Sequence, residues 1–314
     1  MKKVSIVAIG GNALIKDNDH IALQDQRQAV EATCKHIAEL VATGTQVVVT
    51  HGNGPQVGFL MRRSEIAQTE LPLIPLDILV ADTQGGIGYM IQQCLVNELK
   101  KRGLSNEVVS VVTQVEVDAA DRAFSHPAKP IGGFMTEEIA QHHAKNEGWT
   151  VFEDAGRGWR RAVASPEPIN ILEIGVIRSL INQGTVVICC GGGGIPIVNI
   201  EGSIQGVAAV IDKDKVSALL ARDLKADMLV VTTGVEKVAI NFGTPEQKVI
   251  DTMTVAEAEA YYNEGHFPPG SMGPKIEAAL DYLRGTEGVA IITTPEKMAE
   301  AISGHTGTHI VQSK

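Results

Sequence analysis

Aromatic residues and cysteines are scarce in this sequence of 314 residues. Phe, Trp and Tyr make up only 4% of the residues, and this scarcity favours an α/β fold over an aromatic-rich β-sandwich. The four cysteines, Cys34, Cys94, Cys189 and Cys190, form no CxxC pair and no Cys/His spacing suited to zinc. We interpret them as buried thiols in a reducing compartment.

Long basic runs and long apolar runs are also missing. The formal net charge is −10, and no basic run extends beyond Lys100-Lys101-Arg102, so nucleic acid is not expected as a partner. No apolar stretch reaches the ~18 residues of a membrane span, and the one before Gly10 is too short for a secretory signal. We therefore expect a cytoplasmic protein without a membrane partner.

Four consecutive glycines follow a short apolar stretch in the second half of the chain. Residues 185–188 predict a buried strand, and Gly191, Gly192, Gly193 and Gly194 come soon after it. Such glycines cost about 0.5–1 kcal/mol each inside a regular element, so they indicate a turn with positive φ or a close approach to a ligand. Bare amides after a strand suit a phosphate, and a flexible surface loop is the alternative.

The helix that begins after residue 212 brings charged groups towards this glycine run. Asp212 is a suitable N-cap, which places Lys213 and Asp214 in an exposed first turn. A lysine and a carboxylate beside an anion-binding loop suit the handling of a phosphoryl group.

Two earlier strands also end in loops of glycine and asparagine. A strand at 3–9 runs into Gly10, Gly11 and Asn12, and, after a helix at 25–42, a strand at 46–50 runs into Gly52 and Asn53. Ligands of open α/β sheets bind at the carboxyl edge of the strands. Together with the glycine run, these loops predict one ligand site at that edge.

The middle of the chain departs from the regular alternation of strands and helices. A helix at 76–102 contains Thr83-Gln84-Gly85-Gly86, which we interpret as a kink facing another subunit or the core. After a strand at 107–113, the alternation fails between about 114 and 168, where an inserted lid is expected. Lys129 stands there in a rigid turn, and Arg157 and Arg160 form a cluster that faces an anion or, alternatively, solvent.

Regular alternation returns after residue 168. The patterns predict helices at 169–183 and 254–263 and strands at 228–232, 235–240, 288–292 and 309–311. Pro274 and Lys275 follow Met272 and begin a further helix, because proline suits a first helical turn. Lys275 would then project from another junction of loop and helix.

Common nucleotide signatures are absent. The chain has no GxxxxGK[ST] and no GxGxxG, because Pro196 stands where the third glycine belongs, and no HRD or DFG triplet. P-loop, Rossmann and protein-kinase assignments are therefore excluded. Glycine loops with dispersed lysines remain, and they suit phosphoryl transfer, which needs positioning and positive charge more than covalent chemistry.

Several motifs, in order along nearly the whole chain, resemble those of carbamate kinases. They are Gly10-Gly11-Asn12-Ala13-Leu14, the segment from His51 to Gly58, Thr83-Gln84-Gly85, Lys129-Pro130-Ile131-Gly132, the segment from Glu153 to Arg160, the segment from Gly191 to Pro196, Ala209-Val210-Ile211-Asp212-Lys213-Asp214, and Gly270-Ser271-Met272 with Pro274-Lys275. The resemblance implies the amino-acid-kinase fold, an α/β three-layer α/β/α sandwich around a largely parallel sheet with a protruding lid subdomain, in a homodimer.

The resemblance also implies an activity. It is reversible phosphoryl transfer between ATP and carbamate that gives ADP and carbamoyl phosphate, with Mg²⁺ held mainly through the nucleotide phosphates rather than by protein ligands. Members of the family often use the reaction to make ATP from carbamoyl phosphate in arginine or purine nitrogen catabolism.

Roles for individual residues follow from the same resemblance. The acceptor and the transferring phosphoryl group would be held by Gly10, Gly11, Asn12, Gly52 and Asn53. The nucleotide would be bound by Gly191, Gly192, Gly193, Gly194, Lys213, Met272 and Lys275. The catalytic groups would be Lys129, Lys213, Asp214 and Lys275. In this scheme Lys129 approaches from the lid, Lys213 bridges the donor and acceptor phosphates, and Asp214 orients the lysines.

We expect one domain, 1–314, with an acceptor and dimer lobe at 1–183, which includes the lid at about 114–168, and a nucleotide-binding lobe at 184–314. Two alternatives stay open. One is a kinase for another small acceptor such as oxamate, since acceptor choice depends on a few pocket groups. The other is a non-catalytic sensor of nucleotides or metabolites, against which the retained lysines argue.

Overall fold

The structure, a computed structural model, describes residues 3–11, 14, 22–154, 158–268 and 270–313. Its strands are β1 (Val4–Ile9), β2 (Gln46–His51), β3 (Val108–Ser110), β4 (Gln114–Val117), β5 (Lys129–Met135), β6 (Thr150–Glu153), β7 (Trp159–Val163), β8 (Pro168–Ile171), β9 (Val186–Ile188), β10 (Ile195–Ile200), β11 (Ser203–Gly206), β12 (Met228–Thr232), β13 (Val238–Ile240), β14 (Lys248–Ile250), β15 (Thr252–Thr254), β16 (Val289–Thr293) and β17 (Thr308–Val311). Its helices are α1 (Leu23–Ala42), α2 (Gln56–Ala67), α3 (Leu76–Lys101), α4 (Glu137–Glu147), α5 (Ile174–Asn182), α6 (Lys213–Leu224), α7 (Val255–Asn263), α8 (Gly273–Leu283) and α9 (Met298–Ile302).

An eight-stranded sheet forms the middle layer, in the order β15-β17-β16-β12-β1-β2-β9-β3. Within the described ranges every neighbouring pair is parallel except β16 and β17. Parallel strands need helical crossovers, which cover the sheet on both faces. The predicted sandwich around a largely parallel sheet is confirmed.

Alternation along the strands divides the core between the two faces. In β1, Ile6 and Ala8 belong to the core that packs against α5, α6 and α8. Val7 and Ile9 belong to the opposite core, under α1, α3 and α9. Successive side chains of a strand point to opposite faces, so a fully buried strand reads as a continuous apolar run. The carboxyl ends of β1, β2 and β9 consequently share one edge between two helical layers.

Two smaller sheets lie outside this layer and involve residues 114–206. β5, β7 and β6 form an antiparallel sheet with α4, and we call these four elements the lid unit. β11, β10, β4 and β8 form a separate four-stranded sheet. The lid unit begins at Lys129, the first residue of β5, which pairs with Val163, the last residue of β7.

The structure corrects three of the predicted elements. α3 is one helix of 26 residues without a kink at 83–86, because buried side chains on both sides, such as Val80 and Ile87, hold it against the core. Helix-interior glycine costs only about 1 kcal/mol, which this packing offsets. The helix predicted from 169 begins only at Ile174, since residues 168–171 pair with β4. The strand predicted at 235–240 is limited to β13, which forms a hairpin with β14.

Burial of the cysteines agrees with the sequence. Cys34, Cys94, Cys189 and Cys190 are free thiols in the interior. In the part of the chain that the structure describes, we find no helix whose length and apolar character would let it cross a membrane.

Candidate active site

The carboxyl edge of the main sheet carries a small cleft. Gly10 and Gly11 follow β1, and they line a cavity of about 190 Å³ together with Lys213, Lys275 and Thr232 at the end of β12. The amide of Gly10 donates to the Thr232 hydroxyl at 3.3 Å, which ties the two strand ends together. The cleft lies at the edge where open α/β sheets bind ligands.

The first turn of α6 is fixed by three side chains. Asp212 is its N-cap, as predicted, and its Oδ1 accepts from the amide of Asp214 at 2.9 Å. The Ser217 hydroxyl donates to the Lys213 carbonyl at 2.6 Å, and it also shares a 2.6 Å hydrogen bond with Thr50 of β2. These bonds hold the start of α6 against the end of β2, so the side chain of Lys213 has a defined origin.

Asp214 lies between two lysines. Its Oδ1 accepts from Nζ of Lys213, and its Oδ2 accepts from Nζ of Lys275 at 3.1 Å, from the first turn of α8. The expectation that Asp214 stands in an exposed first turn is wrong, because the residue is 4% exposed. α8 covers it, and burial alone would raise the pKa of Asp214, but the two ammonium groups hold that pKa below its usual range.

The lid unit supplies a third lysine. Nζ of Lys129 donates to Oδ2 of Asp212 at 2.8 Å. Burial would raise the pKa of Asp212, but the ammonium group of Lys129, with that of Lys213, holds the pKa well below its usual range. The structure thus brings Lys129, Lys213 and Lys275 together with two ionised carboxylates, and the cluster has an excess of one positive charge. We call these five side chains the lysine cluster.

The loop after β2 contributes neutral polar groups. His51 is buried, and its Nδ1 lies 2.8 Å from the Gly52 carbonyl oxygen. Burial, with a smaller contribution from the charge of Lys213, lowers the pKa of His51 to about 4, so the ring is neutral at pH 7. Asn53 is also buried, and among the described residues its side-chain Nδ2 has no hydrogen-bond partner. Gly52 places its Cα beside the aliphatic chain of Lys213.

The glycine run packs against the protein itself. Gly192, Gly193 and Gly194 have φ of +67°, +90° and +82°, and a Cβ on them would lie 2.4 Å from Asn53 Nδ2, 2.2 Å from the Ile211 carbonyl oxygen and 2.2 Å from a Val115 methyl group. A Cβ on Gly191 would lie 2.4 Å from Nε2 of His51. The amides of Gly193 and Gly194 donate inside the turn itself. The run therefore packs against the loop after β2 and against Ile211, the residue before Asp212. Nucleotide binding by the run stays a prediction.

Gln84 of α3 is a residue whose role the sequence did not reveal. Its Nε2 donates to the carbonyls of Thr113 and Gly191 at 3.0 and 3.1 Å, and its Oε1 accepts from the Thr113 amide at 2.8 Å. The side chain therefore fastens the glycine run to α3. A glutamine within an apolar helical pattern is the available sequence signal, and its interpretation as part of a kink is wrong.

The remaining predicted residues lie at other places. Met272 is the N-cap residue of α8, three positions before Lys275 in the chain. Arg160 of the lid unit is paired with Asp154 at 3.3 Å, and it also donates to the Gly132 carbonyl at 3.0 Å. Asn12 and Arg157 lie outside the described residues.

A metal ion bound by the protein would need several oxygen, nitrogen or sulfur ligands grouped in the cleft. Across the ranges that the structure describes, no group of three or more His, Cys, Asp or Glu side chains is placed to hold a metal ion. The carboxylates nearest the cleft, Asp212 and Asp214, are both engaged by lysines. The donor set therefore does not fit a metal ion held by the protein alone.

Comparison with known proteins gives consistent findings. The model of the amino acid kinase family matches residues 3–293. The carbamate kinase-like protein YahI of Escherichia coli is 53% identical over 317 residues, covering 100% of both chains. The carbamate kinase of Thermococcus kodakarensis is 46% identical over 315 residues, covering 99% of this chain and 100% of that protein. The solved carbamate kinase from Giardia lamblia bound to AMP-PNP has a TM-score of 0.92 at 40% identity, covering 99% of this chain and 98% of that one.

Proposed function

The chain belongs to the amino acid kinase family, and from this premise we propose that it catalyses reversible phosphoryl transfer between carbamoyl phosphate and ADP. The observation that carries the proposal is the lysine cluster, in which three ammonium groups from β5, α6 and α8 meet at the glycine edge of the sheet. Full-length relatives that are carbamate kinases support carbamate as the acceptor.

The proposed reaction exchanges one bond to phosphorus for another. The bond between phosphorus and the carbamoyl oxygen breaks while an oxygen of the ADP β-phosphate bonds to phosphorus, so that carbamate leaves and ATP forms. Most of the catalysis in such reactions comes from positioning and from charge placed where negative charge develops. Lys213 and Lys275 supply that charge from the α6 and α8 side, and Lys129 supplies it from the lid unit.

Asp214 acts on the lysines rather than on the substrate. Each of its oxygens accepts from one ammonium group, and this fixes the separation of Lys213 and Lys275 before substrate binds. A lysine side chain has several rotatable bonds, so an anchor of this kind reduces the ordering required at the moment of reaction.

The loop after β2 suits the acceptor side of the site. Asn53 has a buried amide nitrogen without a partner in the described part of the chain, and such a donor is available to an acceptor oxygen. His51 is neutral and adds no charge that would bind carbamate too tightly. We assign acceptor binding to Gly10, Gly11, Asn12, Gly52 and Asn53, and nucleotide binding to Lys213, Lys275 and Met272. The glycine run, which packs against the protein, supports the loop after β2 in this assignment.

Magnesium belongs to the same proposal as part of the nucleotide substrate. Because the protein carboxylates near the cleft are occupied by lysines, Mg²⁺ would be held through the nucleotide phosphates, whose charge it would reduce. Titration of the rate with Mg²⁺ at fixed ADP tests this, and turnover in EDTA would contradict it.

We further propose a cytoplasmic homodimer that works towards ATP formation in arginine or purine nitrogen catabolism. Exposed apolar side chains follow α2 and continue along α3, namely Leu71, Leu73, Ile78 and Tyr89. Clusters of this kind mark protein interfaces. Light scattering should give twice the chain mass of 33.4 kDa, and a monomer at micromolar concentration would contradict the dimer.

A coupled assay of ATP made from ADP and carbamoyl phosphate tests the activity. We expect turnover in the wild-type protein and a loss of at least ~10²-fold in kcat for Lys213→Ala, with the fold retained in circular dichroism. ADP binding without turnover would favour the sensor. In the reverse direction, ATP consumption with oxamate but not with carbamate would favour a different acceptor.

A further inference from the structure

Asp212 has a second contact besides its capping bond. Oδ1 accepts from the Asp214 amide at 2.9 Å and caps α6, while Oδ2 accepts from Nζ of Lys129 at 2.8 Å. One carboxylate thus joins the helix that carries Lys213 to the lysine of the lid unit, 83 positions away in the chain. The cap alone requires only one oxygen, and serine or asparagine would supply it equally well.

The backbone around Lys129 is held independently of this ion pair. Lys129 pairs with Val163 in the lid sheet, and the next residue, Ala164, forms a parallel bridge with Ala209. The Val210 amide donates to the Ala164 carbonyl at 3.0 Å, two positions before Asp212. These bonds already place the Cα of Lys129 near the start of α6, so the bond to Asp212 determines chiefly where the ammonium group lies.

That location matters because a lysine side chain is flexible. The side chains of Lys129 and Asp212 are 23% and 26% exposed, so the pair lies at the rim of the lysine cluster rather than deep inside it. Without a partner, the ammonium group of Lys129 would sample solvent-facing rotamers. With Asp212 it lies near the Lys213–Asp214–Lys275 group before any phosphate arrives.

We propose that Asp212 is a positioning residue for Lys129, distinct from its role as the cap of α6. It holds the lid lysine at the site where the phosphoryl group is transferred, and the incoming phosphoryl oxygens then replace the carboxylate as partner of the ammonium group. The inference rests on the proposed function, which assigns Lys129 to the transferring group.

Substitutions at residue 212 separate the two roles. Asp212→Ser and Asp212→Asn keep a capping oxygen and remove the charge, whereas Asp212→Ala removes both. We expect Asp212→Ser to lower kcat by ~10- to 100-fold, with KM for ADP within ~3-fold and Tm within about 3 °C of wild type. Asp212→Ala should show the same loss of kcat and a further fall in Tm.

Glu65→Gln provides a matched control. Glu65 of α2 accepts from Arg161 of the lid unit at 2.6 Å, so this variant also removes an ion pair between the lid unit and the body. We expect its kcat within ~3-fold of wild type, because neither residue belongs to the lysine cluster. In a double variant with Lys129→Ala, Asp212→Ser should add less than ~3-fold to the loss, since its effect passes through Lys129.

The outcomes are distinguishable from a failure of the proposed function. If wild-type protein makes no ATP, the proposed activity is wrong, and the position of Lys129 is then read without substrate from ¹³C-dimethylated lysine signals, assigned with Lys129→Arg. In the wild-type protein we expect the Lys129 signal to be resolved from the signals of exposed lysines. In Asp212→Ser it should move to the position of the exposed lysines, and in Glu65→Gln it should stay where it is in the wild type. Three results would overturn the inference. Asp212→Ser could keep the wild-type kcat, or its loss of kcat could multiply with that of Lys129→Ala in the double variant. The Lys129 signal could also keep its wild-type position in Asp212→Ser.

Discussion

Two groups of glycines stand near the lysine cluster, and their surroundings differ. Around the glycine run, an added Cβ would meet other parts of the protein at 2.2 to 2.4 Å. Around Gly52, the nearest atom is a side-chain carbon of Lys213 at 3.5 Å, an ordinary contact, and around Gly11 it is a carbonyl oxygen at 3.9 Å. Both groups follow strands of one sheet, yet only the second leaves space beside the backbone.

The difference shows that glycine has two separate roles near the lysine cluster. In the run, glycine lets the backbone adopt positive φ and approach Asn53 and Ile211, so it sets the distance between the loop after β2 and the start of α6. At Gly52 and Gly11 the free space opens at the strand edge, where a ligand would lie. We therefore expect substitutions in the run to affect folding and substitutions at Gly52 to affect turnover.

Gly193→Ala should have the largest effect. Its Cβ would lie 2.2 Å from the Ile211 carbonyl oxygen at φ of +90°, and neither backbone segment can move without displacing Asp212. Positive φ costs about 1–3 kcal/mol for a residue with a side chain, and the overlap adds to that cost. We expect the free energy of unfolding in urea to fall by about 4 kcal/mol or more.

Gly175→Ala is the control for that measurement. Gly175 lies in α5 with no atom within 4 Å of an added Cβ, so alanine should change stability by at most about 1 kcal/mol, in the stabilising direction. Equal stability of Gly193→Ala and Gly175→Ala would show that the run adapts to side chains, and the comparison of the two groups would fail.

His51, whose buried ring packs against Gly191, makes the stability of the packed glycine run depend on pH. Its pKa is about 4 in the folded protein and near 6.5 in the unfolded chain. Between these values the unfolded chain binds a proton that the folded protein does not, so the free energy of unfolding falls as pH decreases from 6.5 to 4. The expected loss is roughly 3 kcal/mol, and stability above pH 6.5 is unaffected by this group.

His51→Asn removes the titration at this site. Urea unfolding of both proteins at several pH values should show a smaller decline between pH 6.5 and 4 in the variant, although the variant starts from a lower stability. Identical slopes in the two proteins would mean that the buried ring takes up its proton in the folded state.

Gln84→Met should have a smaller effect. Methionine keeps the volume of Gln84 but leaves the Thr113 amide and the Thr113 and Gly191 carbonyls without this partner. We expect unfolding in urea to be easier by about 2 kcal/mol, the usual cost of unpaired buried polar groups. Gln93→Met on the same helix, whose hydrogen bond to Tyr89 faces solvent, should change stability by less than about 0.5 kcal/mol. A loss at Gln93 as large as at Gln84 would contradict this account.

The sequence predicted those parts of the fold that depend on neighbouring residues. β1, β2 and β9 are largely apolar runs, and the glycine or asparagine residues that follow them are local signals, so the sequence predicted both the strands and their shared edge. The N-cap at Asp212 was also predicted, because capping needs only residues 212–214.

Features that depend on distant partners were missed. Asp214 was expected at the surface, but α8, which brings Lys275 from 61 positions further along, buries it. The glycines at 85 and 86 predicted a kink in α3 that packing of Val80 and Ile87 prevents. Gln84 received no role because its partners, Thr113 and Gly191, follow 29 and 107 positions later. Sequence periodicity carries no information about such contacts.

Gly52→Ala should have the smallest effect, and it should appear in turnover rather than in stability. The added methyl group would contact the aliphatic chain of Lys213 at an ordinary distance of 3.5 Å, and the φ of Gly52 is not in the left-handed region. The free energy of unfolding should therefore stay within about 1 kcal/mol of wild type.

The rate should nevertheless fall, because the methyl group would stand beside Lys213 in the loop that we assign to the acceptor. A displacement below 1 Å of a reacting group is enough for a loss of about 10-fold in kcat. Gly175→Ala, measured in the same assay, should keep the wild-type rate. If Gly52→Ala instead unfolds as readily as Gly193→Ala, the space beside Gly52 is closed in solution. If it turns over normally, that space does not receive the substrate, and packing would then suffice to explain the glycines of both groups.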